Sequence, residues 1–198
     1  MSRSALWILA AAAFGFSIAV TYWVLALFIA ESQKPELVRP EKVTSFLHAV
    51  IEANRANYTQ NVVDKMHRQG VVEAVEHWKE ERGLPLPAQF LLESGRLAAQ
   101  KDLNFTFRLA SLTPIYVWNG PNSEFERRGL EAINKGSDKP FTGFIQQSGT
   151  RYFQAIYADR AVSESCVTCH NSHANSPRRD YKLNDVMGGV IITIPISD

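Results

Sequence analysis

Residues 104–110 read Asn-Phe-Thr-Phe-Arg-Leu-Ala, and they mark the point where the hydrophobic pattern of the chain changes. The large apolar side chains of this stretch alternate with smaller or more polar ones, which is the period of a strand with one buried face. Before this stretch, apolar residues recur three and four positions apart, as they do on one face of a helix. A chain that changes from one period to the other contains both helices and strands.

Three helices are expected upstream of this strand, over residues 41–66, 71–82 and 88–101. Gly70 separates the first helix from the second, because glycine readily adopts the left-handed conformation that ends a helix. Pro85 and Pro87 separate the second helix from the third, because proline interrupts helical hydrogen bonding. The first helix is the longest of the three.

One helix and three strands are expected downstream. Ser123 stands three residues before Glu126, and this capping box opens a helix that ends near Gly136. The strands are expected at residues 141–147, 151–158 and 189–196. This order predicts an α+β fold, in which a long helix precedes a PAS-like antiparallel sheet with helices on one side.

The stretch Cys166-Val167-Thr168-Cys169-His170 is the sequence that attaches c-type haem. Each thiol adds to one vinyl group of the porphyrin, and the adjacent imidazole binds the iron. The chain has only these two cysteines, so neither has another disulfide partner. The sequence therefore predicts one covalent haem c, with thioether links at Cys166 and Cys169 and with His170 as the proximal iron ligand.

Two other kinds of site share this spacing of cysteines. A redox-active dithiol sits early in a βαβ unit, whereas this pair lies near the C-terminus of the chain. A zinc site completed by His170 and His173 would crowd its ligands, because a tetrahedral site usually draws its second pair from a distant segment. Haem is the preferred interpretation.

Residues 4–30 carry no charged side chain. As a helix they would extend about 40 Å, which is enough to cross a bilayer with some tilt. The hydrophobic region of a signal peptide is shorter, and Phe28 stands where cleavage would require a small residue. Arg3 precedes the span and favours a cytoplasmic N-terminus. We therefore predict a bacterial inner-membrane protein with a transmembrane signal-anchor over residues 1–30, a linker over 31–40 and a periplasmic haem domain over 41–198.

The charge of the chain excludes one class of partner. Apart from Arg3, all 20 remaining basic residues and all 20 acidic residues follow residue 30, so the predicted domain has a formal charge of 20 − 20 = 0. A nucleic-acid-binding domain carries a basic face or stripe, and none is present in the sequence. The expected partners are the membrane and a redox or signalling protein, and the long helix is a candidate for contact with a second copy of the chain.

The C-terminal part of the sequence resembles the Tll-like c-type haem domain family. The resemblance rests on Cys166–His170, on the run Tyr-Lys-Leu-Asn-Asp-Val-Met-Gly over residues 181–188, and on the strand Val-Ile-Ile-Thr-Ile-Pro over residues 190–195. It extends more weakly over residues 41–196. Membership implies a PAS-like fold, covalent haem, and a role either as a stand-alone haem protein or as the sensor region of a larger receptor.

The sequence leaves the second axial ligand of the iron open. His67, beside Met66 at the far end of the long helix, is the first choice. The other candidates are His48, His77, Met66 and Met187, and an open or water-filled position is a further alternative. His173 follows His170 too closely to reach the opposite face of the haem readily.

Two functions agree with these features. A monohaem cytochrome that transfers electrons is the preferred one, and it predicts iron with two firm axial ligands. A redox or gas sensor that signals through a separate protein is the alternative, and it predicts an open or displaceable distal position. A peroxidase is not favoured, because the sequence shows no recognisable distal His and Arg pair and no substrate motif.

Overall fold

The computed structural model of the chain describes residues 16–27, 38–101 and 103–196. The chain divides into two compact units, Met1–Val38 and Arg39–Asp198. The helices are α1 (16–27), α2 (Pro40–Asn57), α3 (Asp64–Arg68), α4 (Pro87–Ala99), α5 (Glu124–Asn134) and α6 (Glu164–Ser172). The strands are β1 (Ala74–Val75), β2 (Leu84–Pro85), β3 (Thr106–Ala110), β4 (Phe141–Gln147), β5 (Thr150–Arg160) and β6 (Val186–Pro195).

The structure contradicts the predicted membrane anchor and localisation. Within the described ranges, the model contains no helix that combines the length and the apolar character needed to cross a membrane. The rest of the predicted span, residues 1–15 and 28–30, lies outside the described residues. The prediction of a single-pass inner-membrane protein is therefore wrong.

The second unit is built on a four-stranded antiparallel sheet in the order β3-β6-β5-β4. All four strands were predicted from alternation and turn residues, and Gly149 forms the tight turn between β4 and β5 with φ of 82°. The closing strand β6 is central, because it pairs with β3 on one side and with β5 on the other. The α+β prediction with an antiparallel sheet is confirmed.

Helices pack on both faces of this sheet, so the prediction of helices on one side is wrong. Helices α2 and α4 cover one face, where Phe153, Ala155 and Ile192 are buried, while α5 covers the other face over Ile156 and Ile191. Successive residues of a strand point to opposite faces, so β5 and β6 contribute to both cores. A central strand covered on both faces needs a continuous apolar sequence. The run over residues 190–194 has that character.

The long helix is continuous from Pro40 to Arg68, with a π-helical turn over Tyr58–Val63 joining α2 to α3. Gly70 follows with φ of 63° and ends it as predicted. The predicted helix over residues 71–82 is wrong, because the chain there forms turns that bring β1 and β2 together in parallel. The tertiary pairing of Ala74 with Leu84 overrides the weak helical pattern.

Helix α5 confirms the capping prediction with one difference. The Ser123 hydroxyl accepts a hydrogen bond from the Glu126 backbone N–H at 3.1 Å, as in a capping box. The Glu126 carboxylate, however, accepts from the backbone N–H of Asn122 at 2.6 Å and also pairs with Arg108. The helix start is thereby tied to strand β3.

Candidate functional site

The cysteine and histidine motif lies on helix α6. Ser163 precedes the helix in extended conformation. The acidic Glu164 occupies the first turn, where its negative charge interacts favourably with the positive end of the helix dipole. Residues three and four apart share one face of a helix, so Cys166, Cys169 and His170 project from the same face. Both thiols are free.

Helix α6 is packed onto the domain through a small apolar cluster. Cys166 and Val167 contact Ala161, Tyr181 and Met187, all three of which are buried. The Ser163 hydroxyl lies 3.4 Å from the Cys166 sulfur. The site is therefore placed at the junction between the end of β5 and the start of β6.

The loop that follows α6 is fastened back to it by an amide side chain. The Asn171 Nδ2 donates to the Tyr181 carbonyl at 2.9 Å, and the Asn171 Oδ1 accepts from the Tyr181 backbone N–H at 3.0 Å. The Arg178 guanidinium lies 4.2 Å from the centre of the Tyr181 ring, within the range of a cation–π contact. These contacts hold Tyr181 in place beside the motif.

His170 has the properties of a metal-binding imidazole. Its ring meets the Tyr181 ring edge-on, with 5.7 Å between the centroids. Burial lowers the pKa of His170, and the nearby His173 and Arg55 lower it further. A low pKa favours the neutral imidazole, which is the form that binds a metal. Within the described part of the chain, its Nδ1 is buried without a hydrogen-bond partner.

The environment of Cys169 does not suit a redox dithiol. Burial raises the pKa of this thiol, and the negative charges of Glu76 and of a Cys166 thiolate raise it further. A nucleophilic cysteine needs the opposite shift. The zinc interpretation also gains no support, because the described residues contain no group of three or more His, Cys, Asp or Glu side chains that could hold a metal ion. The two thiols and His170 fit covalent haem better.

A cluster of three side chains beside the motif was not found from the sequence. The Glu76 carboxylate contacts Nε2 of His173, and the Tyr116 hydroxyl lies near the same carboxylate. The nearby Tyr116 hydroxyl and, after it, the contact with His173 lower the pKa of Glu76, while the carboxylate raises the pKa of Tyr116 to about 12. The cluster joins α6 to two distant segments of the chain, and no local pattern indicates it.

The candidates for the second axial ligand lie in different settings. His48 stacks on Tyr157 with 4.0 Å between the ring centroids. His67, the first choice, is 60% exposed, and its Nδ1 lies 3.6 Å from a carboxylate oxygen of Glu73. His77 is exposed and Met66 is half-buried. Met187 is buried in the same apolar cluster that receives Cys166, so it is the candidate that the structure brings to the motif.

The comparisons with known proteins agree on one family. The model of the Tll0287-like family matches residues 35–195. Among solved structures, the chain is similar to the cyanobacterial heme-protein Tll0287, with a TM-score of 0.51 and 12% identity over 81% of this chain and 99% of that chain. At this identity the likeness shows the fold alone. No curated protein matches the chain. The match over most of the chain confirms the resemblance predicted from the C-terminal motifs: the chain belongs to the Tll0287-like family.

Proposed function

We propose that this chain is a c-type cytochrome that binds one haem covalently. The thiols of Cys166 and Cys169 form the thioether bonds, and His170 is the proximal iron ligand. The observation that carries the proposal is the shared face of α6, on which two free thiols stand together with a half-buried imidazole whose pKa is lowered by burial. The similar solved protein is itself described as a heme-protein, which supports the same assignment.

Attachment needs no further reactant. Each thiol adds across one vinyl double bond, so that the sulfur bonds to one vinyl carbon and the thiol proton moves to the other. No group is oxidised or reduced by an external reagent. The raised pKa of Cys169 keeps this thiol protonated before it reacts, so the helix can form without a buried thiolate charge.

We further propose that the domain transfers electrons to or from a partner protein. When bound, haem iron supplies reversible one-electron chemistry. The chain contributes a rigid setting for it, because α6 is fixed by the apolar cluster around Tyr181 and by the double hydrogen bond of Asn171. A rigid setting keeps the rearrangement that accompanies each electron transfer small.

A sensor is the second candidate, and a specific contact favours it. The long helix touches the chain immediately before α6: Arg55 pairs with Asp159 and donates to the Arg160 carbonyl at 3.1 Å, and Gln60 donates to the Val162 carbonyl at 3.2 Å. A shift of α6 on ligand binding or reduction would reach the long helix through these contacts. This path could carry a signal to a separate protein.

The test combines mass spectrometry and optical spectra of the chain produced with a haem-attachment system. We expect one haem per chain that survives denaturation in the native sequence, and none in Cys166→Ser/Cys169→Ser. His170→Gln should retain the covalent haem but change the ligand-sensitive bands, whereas His77→Gln, a matched change at an exposed histidine, should not. An absence of covalent haem in the native chain would refute the proposal.

Carbon monoxide separates the two roles. Ferrous spectra that do not change with carbon monoxide indicate two firm axial ligands and favour electron transfer. Ready binding of carbon monoxide indicates a labile or open position and favours the sensor.

A further inference from the structure

The segment between β3 and α5 presents large apolar side chains to solvent in a well-fixed turn. Val117 and Trp118 are 75% and 84% exposed, and they lie on a short 3-10 helix, Val117–Asn119. The turn is closed by backbone hydrogen bonds, from Asn119 to the Tyr116 carbonyl at 2.9 Å and from Ser111 to the Asn119 carbonyl at 2.8 Å. The exposed indole is therefore held in a defined position rather than carried on a free loop.

This turn contacts residues that follow α6 in the chain. The Tyr116 ring meets the His173 ring edge-on with 6.2 Å between the centroids, and His173 in turn contacts Glu76. Earlier in the same segment, the Thr113 hydroxyl lies 3.0 Å from the Tyr181 hydroxyl. The turn thus lies beside the C-terminal end of α6, the end that carries Cys169 and His170.

We propose that Tyr116, Val117 and Trp118 form an apolar wall against the haem attached to α6, with Glu76 and His173 holding the wall in position. This inference rests on the proposed function, since the occupant is the covalent haem. The porphyrin is a broad apolar ring, and pockets for such groups are lined mainly by aromatic and aliphatic side chains. Large exposed apolar residues beside a binding site commonly mark the surface that the bound group covers.

The position of the wall favours haem over a second protein as the occupant. The Tyr116 ring meets the ring of His173, which directly follows α6 and stands three residues after His170. A group tethered at Cys169 therefore starts beside this turn. A docked protein would need no such proximity to the attachment thiol.

The first test compares the accessibility of Trp118 with and without haem. Hydroxyl-radical labelling, read residue by residue by mass spectrometry, is applied to the haem-loaded native chain and to Cys166→Ser/Cys169→Ser. We expect a several-fold loss of labelling at Trp118 in the haem-loaded chain. Phe144 is the internal control, because it is exposed on β4 and lies far from the motif. Its partner on β5, Phe153, is roughly 23 Å along that strand from Arg160, the residue at which β5 ends before α6.

Equal labelling of Trp118 in a chain shown to carry haem would overturn the wall and leave the proposed function intact. Protection that grows with protein concentration would also overturn it, by identifying a second copy as the occupant. A native chain without haem would overturn both proposals, so the two failures are distinguishable.

The second test uses only haem-loaded chains and does not depend on the fold of the cysteine variant. Trp118→Ser removes an exposed side chain, and Phe144→Ser is the matched control. We expect Trp118→Ser to lower the midpoint potential, because greater solvent access stabilises the more highly charged ferric haem, while Phe144→Ser leaves the potential unchanged. Equal potentials in the native chain and Trp118→Ser would contradict the wall.

Discussion

The ion pair between Arg55 and Asp159 offers the sharpest test of how the long helix is joined to the haem-binding segment. The two side chains are only 9% and 13% exposed, and Arg55 also donates to the Arg160 carbonyl at 3.1 Å. Burial raises the pKa of Asp159, the Arg55 guanidinium opposes that shift, and the charge of Glu52 adds to it. Arg55 is therefore the group that favours the charged form of this carboxyl.

Replacing Arg55 with Met removes the charge and retains much of the apolar stem. Asp159 is then left buried without its cation, and breaking a buried pair in this way typically costs about 3–5 kcal/mol. Removing both charges in Arg55→Met/Asp159→Leu should recover most of this loss, since apolar replacements of a buried pair are often neutral. Arg127→Met is the control: Arg127 is 47% exposed, and losing its surface ion pairs should cost far less stability.

The assay is urea unfolding of the full chain at pH 7, with the free energy of unfolding obtained by linear extrapolation. We expect Arg55→Met to lose several times more stability than Arg127→Met, and the double variant to lie between Arg55→Met and the native chain. The reasoning is refuted if Arg55→Met is no more costly than Arg127→Met. It is refuted equally if the double variant is as unstable as the single one.

Three further changes test other parts of the structure. Asn171→Ala removes both hydrogen bonds to the Tyr181 backbone, so urea unfolding should show that the free energy of unfolding falls by about 1–3 kcal/mol. An unchanged free energy of unfolding would mean that these two hydrogen bonds do not stabilise the fold. Gly129→Ala places a methyl group 2.3 Å from Cδ1 of Ile156, so calorimetry should show destabilisation of about 1–3 kcal/mol, whereas an unchanged melting temperature would exclude the close packing of α5 on the sheet. The pKa of Glu76 in the folded chain is below its ordinary value of 4.5. The stability that this carboxylate contributes to the fold is therefore fully present above pH 4.5 and is lost as the pH falls through the lower folded-state pKa. The stability difference between the native chain and Glu76→Gln should therefore be largest above pH 4.5 and shrink as the pH falls below it, and a difference independent of pH would contradict the assignment.

The sequence by itself determined the elements whose cause is local. Strand alternation, the capping serine Ser123 and the turn glycines Gly70 and Gly149 depend on residues a few positions apart, and each was placed correctly. The motif Cys166–His170 is equally local, because the attachment chemistry fixes its spacing. These features predicted the α+β class and the family.

Only the tertiary structure decided how these elements meet. The segment over residues 71–82 is not a helix, because Ala74 pairs with Leu84 between β1 and β2, and this pairing outweighs the weak helical periodicity of the segment. The continuous apolar run of β6 indicates that both faces of this strand are covered. Only the structure shows that helix α5 covers the second face. The membrane-anchor prediction was made from the length of the uncharged segment and the position of Arg3, and no described helix is long and apolar enough to bear it out.

The cluster of Glu76, Tyr116 and His173 shows the same limit at the site itself. Its members come from three segments that meet only in the folded chain, since His173 is 97 residues from Glu76. Periodicity and motif spacing report interactions between near neighbours in sequence, whereas this cluster arises from the closure of long loops by burial and hydrogen bonding. The sequence thus specified the proposed attachment point of the haem, and the fold specified what surrounds that point.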